Sequence, residues 1–254
     1  MNIQGHSALV TGGGSGLGEA VARELARQGA KVTLLDVNAA HAQRVAAEVG
    51  GIACTGDVAD AASVTAALDA AAAAHGVPRI VMNIAGIGKA NRIIQKDGSP
   101  SPLEDFERVL RVNLVGTYNV ARLAAARIAT LEPLTDGERG VIVNTASVAA
   151  FDGQVGQEAY SASKGGVVGM TLPMARDLAQ WGIRVCTIAP GLFKTPLLAT
   201  LPEPIQQSLA ASIPFPKRLG DPAEFAALAA HIVTNGHLNG EVIRLDGALR
   251  MAPR

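Results

Sequence analysis

A chain of 254 residues that is 48% hydrophobic but only 3% aromatic must build its core from Ala, Val, Leu and Ile, which suits helices on a parallel sheet better than a base-stacking surface. Lys plus Arg and Asp plus Glu balance at 22 each, so no overall field recruits nucleic acid or an anionic membrane, and a charged ligand must be met locally. Cys54 and Cys186 lie far apart without metal-type spacing; no metal site is expected, and unpaired thiols fit a reducing, cytoplasmic compartment.

Along the chain, short β-branched runs alternate with Ala/Leu-rich stretches of helical period. The first strand, near 7–11, runs into Thr11-Gly12-Gly13-Gly14-Ser15-Gly16-Leu17-Gly18, which opens a helix over 16–28. Gly12 permits the tight turn, Gly16 lets backbone approach a pyrophosphate and Gly18 permits close helix packing; Ser15 and Leu17 complete the turn, and the helix amides face the phosphates. A glycine cluster is a weak signal alone, but its place between strand and helix makes it a dinucleotide fingerprint. The second strand, 31–36, ends on Asp36, at the distance expected of a ribose-binding acid. Its carboxylate accepts from ribose hydroxyls and repels a 2′-phosphate, and no Arg or Lys stands at Ser15, Val37 or Asn38 to neutralise one. NAD is therefore expected over NADP; the bland alternative is that Asp36 caps the next helix.

A helix over 39–49, a strand over 51–56 and a helix over 60–75 follow. Asp57 and Val58 end the third strand beside the adenine position, with helix capping an equal alternative for Asp57. The fourth strand, 79–83, ends on Asn83-Ile84-Ala85-Gly86, expected to line the adenosine side. A long loop at 87–101 carries Lys89, Arg92 and Lys96, read either as partners for substrate phosphates or as ordinary solvated charge. A helical stretch at 102–130 and a strand at 140–146 lead to Ser147, placed at the carboxyl edge of the sheet.

In the helix expected over 157–180, Tyr160 and Lys164 are four apart and share a face. An ammonium near a phenol, with a positively charged nicotinamide beside it, favours the phenolate, so Tyr160 takes an alcohol proton as hydride leaves. Tyr-x-x-x-Lys alone usually marks an exposed helix face; joined to the glycine turn and Ser147 it becomes specific. A strand at 183–189 precedes the proline-rich segment 190–220, which cannot be one regular helix. A helix at 222–235 and a strand at 241–246 close the chain. Residues 1–254 thus read as one α/β domain, Rossmann-like and doubly wound. It has a seven-stranded parallel sheet, helices on both faces, and substrate loops at 87–101 and 190–220.

These motifs, with Pro190-Gly191, resemble the short-chain dehydrogenase/reductase family in order and spacing over nearly the whole chain. The resemblance implies that Asn113 joins Ser147, Tyr160 and Lys164 in a catalytic tetrad, distorting its helix. It also implies that Lys164 binds the nicotinamide ribose and that backbone near Ile188 and the Thr195 hydroxyl hold the carboxamide. Ile84 departs from the pattern, since many members carry a second asparagine there. From residue 140 onward, segments such as Ile188-Ala189-Pro190-Gly191-Leu192-Phe193-Lys194-Thr195-Pro196 resemble the type II 3-hydroxyacyl-CoA dehydrogenase subfamily, which includes 17β-hydroxysteroid dehydrogenase type 10. Pro173 within the catalytic helix is a further marker.

That resemblance implies an acyl-CoA thioester as substrate and NAD as cofactor, with carrier-protein ketoacyl reduction, secondary-alcohol or hydroxysteroid oxidation, and a non-enzymatic NAD-binding scaffold as alternatives. Val148, Ala149, Phe151, Gln154, Leu192, Leu197 and Leu198 would line an acyl pocket or belong to the core. A homotetramer is expected, since the helices at 102–130 and 157–180 carry more apolar residues than one sheet face covers.

Overall fold

The structure, a computed structural model, describes residues 1–199 and 202–253; the side chain of Leu197, expected in the acyl pocket, lies outside the described residues. Seven parallel strands form one sheet in the order β3-β2-β1-β4-β5-β6-β7. They are β1 (Ser7–Thr11), β2 (Lys31–Asp36), β3 (Ile52–Thr55), β4 (Ile80–Asn83), β5 (Gly140–Thr145), β6 (Ile183–Pro190) and β7 (Val242–Leu245). The order reverses between β1 and β4, which pair Thr11 with Asn83. In open α/β sheets, that switch point opens a ligand crevice at the strands' carboxyl ends.

Each central strand is buried on both faces, and alternate residues feed two cores. Ala8, Val10, Ile80, Met82, Val141, Val143, Cys186 and Ile188 meet α1 (Gly16–Arg27), α2 (Ala39–Val49) and α9 (Pro222–Thr234). Leu9, Val81, Ile142 and Val185, one residue out of step, meet α3 (Ala61–His75), α5 (Gly116–Ile128) and α6 (Glu158–Ala179) on the other face. The helical stretch expected at 102–130 is not uniform. It begins with α4 (Leu103–Leu110), passes through a π-helical turn at Arg111–Val115 and continues as α5. The proline-rich segment contains two short helices, α7 (Pro196–Ala199) and α8 (Glu203–Ala211).

Far from the crevice, Arg184 at the amino end of β6 is buried. It donates to Glu138 Oε1 at 2.9 Å and to the carbonyls of Ile232, Val233 and Leu238 at 2.8–2.9 Å. One guanidinium thereby satisfies the last carbonyls of α9 and the turn that brings the chain back to β7, where the lysine-like point charge would meet fewer acceptors. Arg184→Ala takes the donor from Glu138 Oε1 and from the Ile232 and Leu238 carbonyls, while the Met1 ammonium still meets Glu138 Oε2 at 2.8 Å and Val233 O at 3.3 Å. Urea unfolding should therefore show a loss of up to about 3–5 kcal/mol, the scale of other broken buried pairs. A loss below about 1 kcal/mol would mean that water replaces the guanidinium freely.

Candidate active site

The crevice begins at the turn after β1. Gly12 sits at φ +64°, and a Cβ there would lie 2.8 Å from the Ala85 Cα; only glycine lets the β1 and β4 ends come this close. A Cβ on Gly18 would meet the Gly12 carbonyl at 2.0 Å, so α1 packs directly on its own turn. A Cβ on Gly16 would fill the gap toward Pro196 and Thr195, at 3.4 and 3.8 Å, across the crevice. Ser15 makes no side-chain capping bond, which leaves the first amides of α1 to meet an anion. Thr11 had no assigned role in the sequence reading. Its hydroxyl accepts from the amides of Ile84 and Ala85 at 3.0 and 3.1 Å and so sets the β4 exit. This cradle, with glycine wherever a side chain would block it, fits a dinucleotide.

Asp36 reaches back over the turn. Its Oδ2 accepts from Gly14 N at 2.9 Å and its Oδ1 from Asn38 N at 2.9 Å. The cap of α2 is Asn38, whose Oδ1 accepts from His41 N, so the helix-cap alternative for Asp36 is set aside. Asp57 likewise bonds only locally, to Ala59 N, while Asp60 caps α3 through Ala62 N and Ser63 N. Val58, buried against Gly116, accepts a bond on its carbonyl from the Asn119 amide. Asn83 departs from expectation. Its side chain is buried and donates to Asn144 Oδ1 at 2.9 Å and Thr117 O at 3.4 Å; it ties β4 to β5 and α5 instead of lining the crevice. One cation escaped the sequence reading altogether: Arg44, on α2, donates to the Gly14 carbonyl at 3.3 Å. Eight residues beyond Asp36, it returns to the turn only through the helix.

At the other end of the crevice, Ser147 follows β5 and starts a short 3-10 turn, its Oγ accepting from Ala149 N at 3.1 Å. Its hydroxyl stands beside the Tyr160 phenol and favours the ionised form. Burial pushes the Tyr160 phenol up, and the Ser147 bond offsets this only in part. The expected phenolate is thus not favoured by the protein alone, because desolvation outweighs the contribution of Ser147. Lys164, fully inside, is driven down to about 8 by the same desolvation. Its Nζ donates to Thr145 O at 2.7 Å and lies 5.8 Å from the centre of the Tyr160 ring.

Asn113 stands within the π-helical turn, as the helix distortion implied. Its carboxamide grips Ile87 twice, Nδ2 donating to Ile87 O and Oδ1 accepting from Ile87 N, each at 2.8 Å. Nδ2 also donates at 3.0 Å to Ser163 Oγ, which donates to Tyr160 O. Asn113 therefore ties the root of the 87–101 loop to the catalytic helix. Gly86 lies beside it, where a Cβ would stand 3.4 Å from Lys164 Nζ.

The loop itself is a finger closed by an antiparallel bridge, Ile94 to Pro100. Lys89 is not free for phosphate: it pairs with Asp105 of α4 at 2.6 Å, and Asn91 donates to the same carboxylate at 2.6 Å. Arg92 and Lys96 remain exposed on the finger, beside the exposed Ile93 and Ile94. Of the expected acyl pocket, Val148 and Ala149 are buried in the core. Gln154 donates to Ala252 O, binding the C-terminal segment, and Leu192 and Leu198 pack on the cluster of Ile213, Leu219 and Leu249. Phe151 is exposed and stacks under the Arg244 guanidinium at 5.1 Å. Pro190 ends β6, and Gly191 passes so near Asp246 that a Cβ would stand 2.8 Å from the aspartate's own. Thr195 Oγ1 faces the amide of Leu198 at 3.5 Å.

The short chain dehydrogenase family model matches residues 6–206. The 3-hydroxyacyl-CoA dehydrogenases type-2 of Homo sapiens and Drosophila melanogaster are each 54% identical over 99% of this chain, covering 98% and 100% of the relative. Among solved structures, 3-hydroxyacyl-CoA dehydrogenase type-2 from Mycobacterium avium superposes with a TM-score of 0.95 at 49% identity, covering 98% of both chains. A 3-ketoacyl-(acyl-carrier-protein) reductase from Brucella melitensis, complexed with NADH, gives 0.87 at 34% identity, covering 98% of this chain and all of the other.

The buried ammonium makes a pH-dependent claim on stability. Lys164 sits near 8 when folded and near its ordinary 10.5 when unfolded; between those values the unfolded chain binds the extra proton, so this group's penalty is full below pH 8 and relieved as pH rises. Lys164→Met removes that dependence. The stability of the Met variant relative to the parent should be highest below pH 8 and fall by up to about 3 kcal/mol by pH 10.5, read from urea midpoints across pH. A flat difference would mean that Lys164 keeps an ordinary pKa.

Proposed function

The chain belongs to the short-chain dehydrogenase family, and from that premise we propose that it oxidises 3-hydroxyacyl-CoA thioesters to 3-ketoacyl-CoA, with NAD as hydride acceptor. The observation that carries the reading is the placement of Tyr160 beside Ser147 and 5.8 Å, ring centre to Nζ, from the buried Lys164 ammonium, in a chain that aligns end to end with 3-hydroxyacyl-CoA dehydrogenases type-2. Reaction chemistry and cofactor follow from the family; the thioester substrate is supported by the identity of those relatives.

Gly12, Ser15, Gly16, Leu17 and Gly18 would hold the pyrophosphate on the amides of α1, Asp36 the adenosine ribose, and Asp57, Val58, Ala85 and Gly86 the rest of that half. Pro190, Gly191 and Thr195 would hold the carboxamide end. The bound NAD supplies the hydride acceptor and a positive charge. Ser147 donates to the reacting oxygen, and Tyr160 removes its proton. Lys164 keeps a cation below the phenol and reaches the nicotinamide ribose, stabilising the ionised tyrosine. Asn113 holds the loop root and Ser163 in register with the catalytic helix, which sets the direction of the Tyr160 side chain.

The acyl-CoA reading draws further support from the finger. Its exposed Ile93 and Ile94 suit an apolar arm of the substrate, while Arg92 and Lys96 offer charge for its phosphates. Lys89 contributes through its bond to Asp105, fixing the finger in place. We also propose a homotetramer. Supporting it is a cavity of about 470 Å³ between the outer faces of α5 and α6, lined by Ala121, Ala125, Met174 and Leu178, with the exposed Tyr118 and Trp181 at its rim. A cytoplasmic setting is supported by Cys54 and Cys186, both free thiols.

A kinetic panel of acetoacetyl-CoA, a carrier-protein thioester, a steroid and a secondary alcohol, each with NADH and NADPH, tests the substrate. Acetoacetyl-CoA with NADH should give the highest kcat/KM; a carrier-protein thioester ahead of it would replace the proposal with ketoacyl-carrier-protein reduction. Tyr160→Phe should cut turnover by at least about a hundredfold, the usual worth of a positioned acid/base, while NADH binding persists. Retention of more than a tenth of the activity would assign the proton step to another group. Replacing Arg92 and Lys96 by Ala should raise KM for acetoacetyl-CoA severalfold with kcat little changed, and leave a small alcohol unaffected.

A further inference from the structure

The adenosine end of the crevice carries a cation that cofactor binding, as described, does not use. Arg44 Nη2 donates to the carbonyl of Gly14 at 3.3 Å, and the amide of that same glycine donates to Asp36 Oδ2 at 2.9 Å. One residue of the phosphate turn thus joins the ribose-binding acid to a guanidinium. A guanidinium in this neighbourhood is a ready partner for a ribose 2′-phosphate, because its planar fork matches phosphate oxygens. Here the fork is already occupied. Glu19, in the first turn of α1, accepts from Arg44 Nη2 at 2.7 Å and Nη1 at 3.1 Å. Glu48, one turn further along α2, accepts from Nη1 at 3.3 Å. Arg23 of α1 closes the ring, donating to Glu19 at 2.7 Å and to Glu48. Two carboxylates and two guanidiniums cancel, so the ring presents no net positive charge to the crevice.

We propose that Glu19, seconded by Glu48, is a specificity determinant for NAD over NADP that works by holding Arg44 against α1 and withholding it from a 2′-phosphate. The inference rests on the reading of Asp36 as the ribose acid, and it adds a mechanism of a different kind. Asp36 rejects the phosphate by repulsion. Glu19 rejects it by occupying the group that would attract it. Discrimination is a difference of affinities, so removing an attraction to the wrong ligand serves as well as adding a clash. With the ring intact, changing Asp36 alone should give a poor NADP enzyme: repulsion goes, but the cation stays committed. All four side chains are partly exposed, so the hold is a surface one that a single neutral substitution can loosen.

Direct binding tests this without relying on turnover. Dissociation constants for NADH and NADPH are measured by calorimetry on the whole protein and on Asp36→Asn, Asp36→Asn/Glu19→Gln, and Asp36→Asn/Glu19→Gln/Arg44→Ala. The double variant should bind NADPH about tenfold more tightly than Asp36→Asn, the scale of one hydrogen bond to a charged group, with NADH affinity within about twofold. Arg44→Ala should erase that gain, and added salt should shrink it. If Glu19→Gln does not fold, Glu48→Gln in the same background reads the same effect with a smaller gain. Equal shifts for NADH and NADPH, or a gain that survives Arg44→Ala, overturns the inference while NADH binding still stands. Failure of the parent protein to bind either nucleotide overturns the cofactor reading and the inference together.

Discussion

The arrangement of the site turns on keeping the Lys164 ammonium inside the protein. A buried ammonium forfeits its hydration, and the fold offsets that loss with oriented acceptors. At 2.7 Å it donates to Thr145 O, on the last residue of β5. A parallel sheet leaves carbonyls at its carboxyl edge, so the strand end supplies the acceptor without a dedicated side chain. The other surroundings follow from the same constraint. Gly86, at the exit of β4, leaves room that a side chain would take: a Cβ there would stand 3.2 Å from Asn113 Oδ1 and 3.4 Å from Lys164 Nζ. Two strand ends, the π-helical turn and α6 therefore converge on one charge.

Tyr160 inherits the consequences. The burial that lowers Lys164 from its ordinary 10.5 to about 8 raises the phenol from its ordinary 10.0, so two groups of nearly equal proton affinity in water are driven apart, and the phenol holds its proton the more tightly. Ionising Tyr160 calls for positive charge beside the phenol, which oxidised NAD would bring. In such a site a bound NAD would favour proton removal through its positive charge alone, with no moving part required.

What the sequence disclosed is what local spacing encodes. Glycines between a strand and a helix, an acid at the next strand end and a tyrosine one helical turn before a lysine each carry their geometry with them, and the structure places all of them on one crevice. The unbroken burial of β1, β4, β5 and β6 was equally legible, because strands covered on both faces read as short apolar runs. The misses came from contacts that spacing does not encode. Arg44 meets Gly14 only after β2 and α2 have turned back on themselves. Lys89 reads as a free cation until the finger folds onto Asp105. Asn83 reads as a lining residue because it ends a strand, yet its side chain turns into the layer between the sheet and α5. The capping roles of Asp36 and Asp57 were ambiguous because Asn38 and Asp60 stand within a few residues as competing caps, and only backbone geometry chooses between them.

A neutral chain has to assemble each charged subsite from residues near at hand, and the pattern of ion pairs shows how this one does it. Most of its well-placed cations are committed: Arg44 to Glu19, Arg184 to Glu138, Arg218 to Glu224, and Arg244 to both Asp152 and Asp246. The pyrophosphate of the cofactor is left to backbone amides, which carry no net charge and so do not attract other anions from a distance. Among the described residues, Arg92 and Lys96 on the finger and Lys194 and Lys217 in the proline-rich segment have no ion-pair partner, and all four are exposed. They lie on the two loops that follow strands at the carboxyl edge of the sheet. These loops offer positive charge beside the carboxyl edge, as do Lys31, Arg108, Arg111, Arg122 and Arg176 elsewhere on the surface, whereas at the adenosine end Arg44 is neutralised by Glu19. The cofactor half would thereby select through backbone hydrogen bonds and withheld charge, while the loops would leave Arg92, Lys96, Lys194 and Lys217 free to meet the phosphates of the proposed substrate.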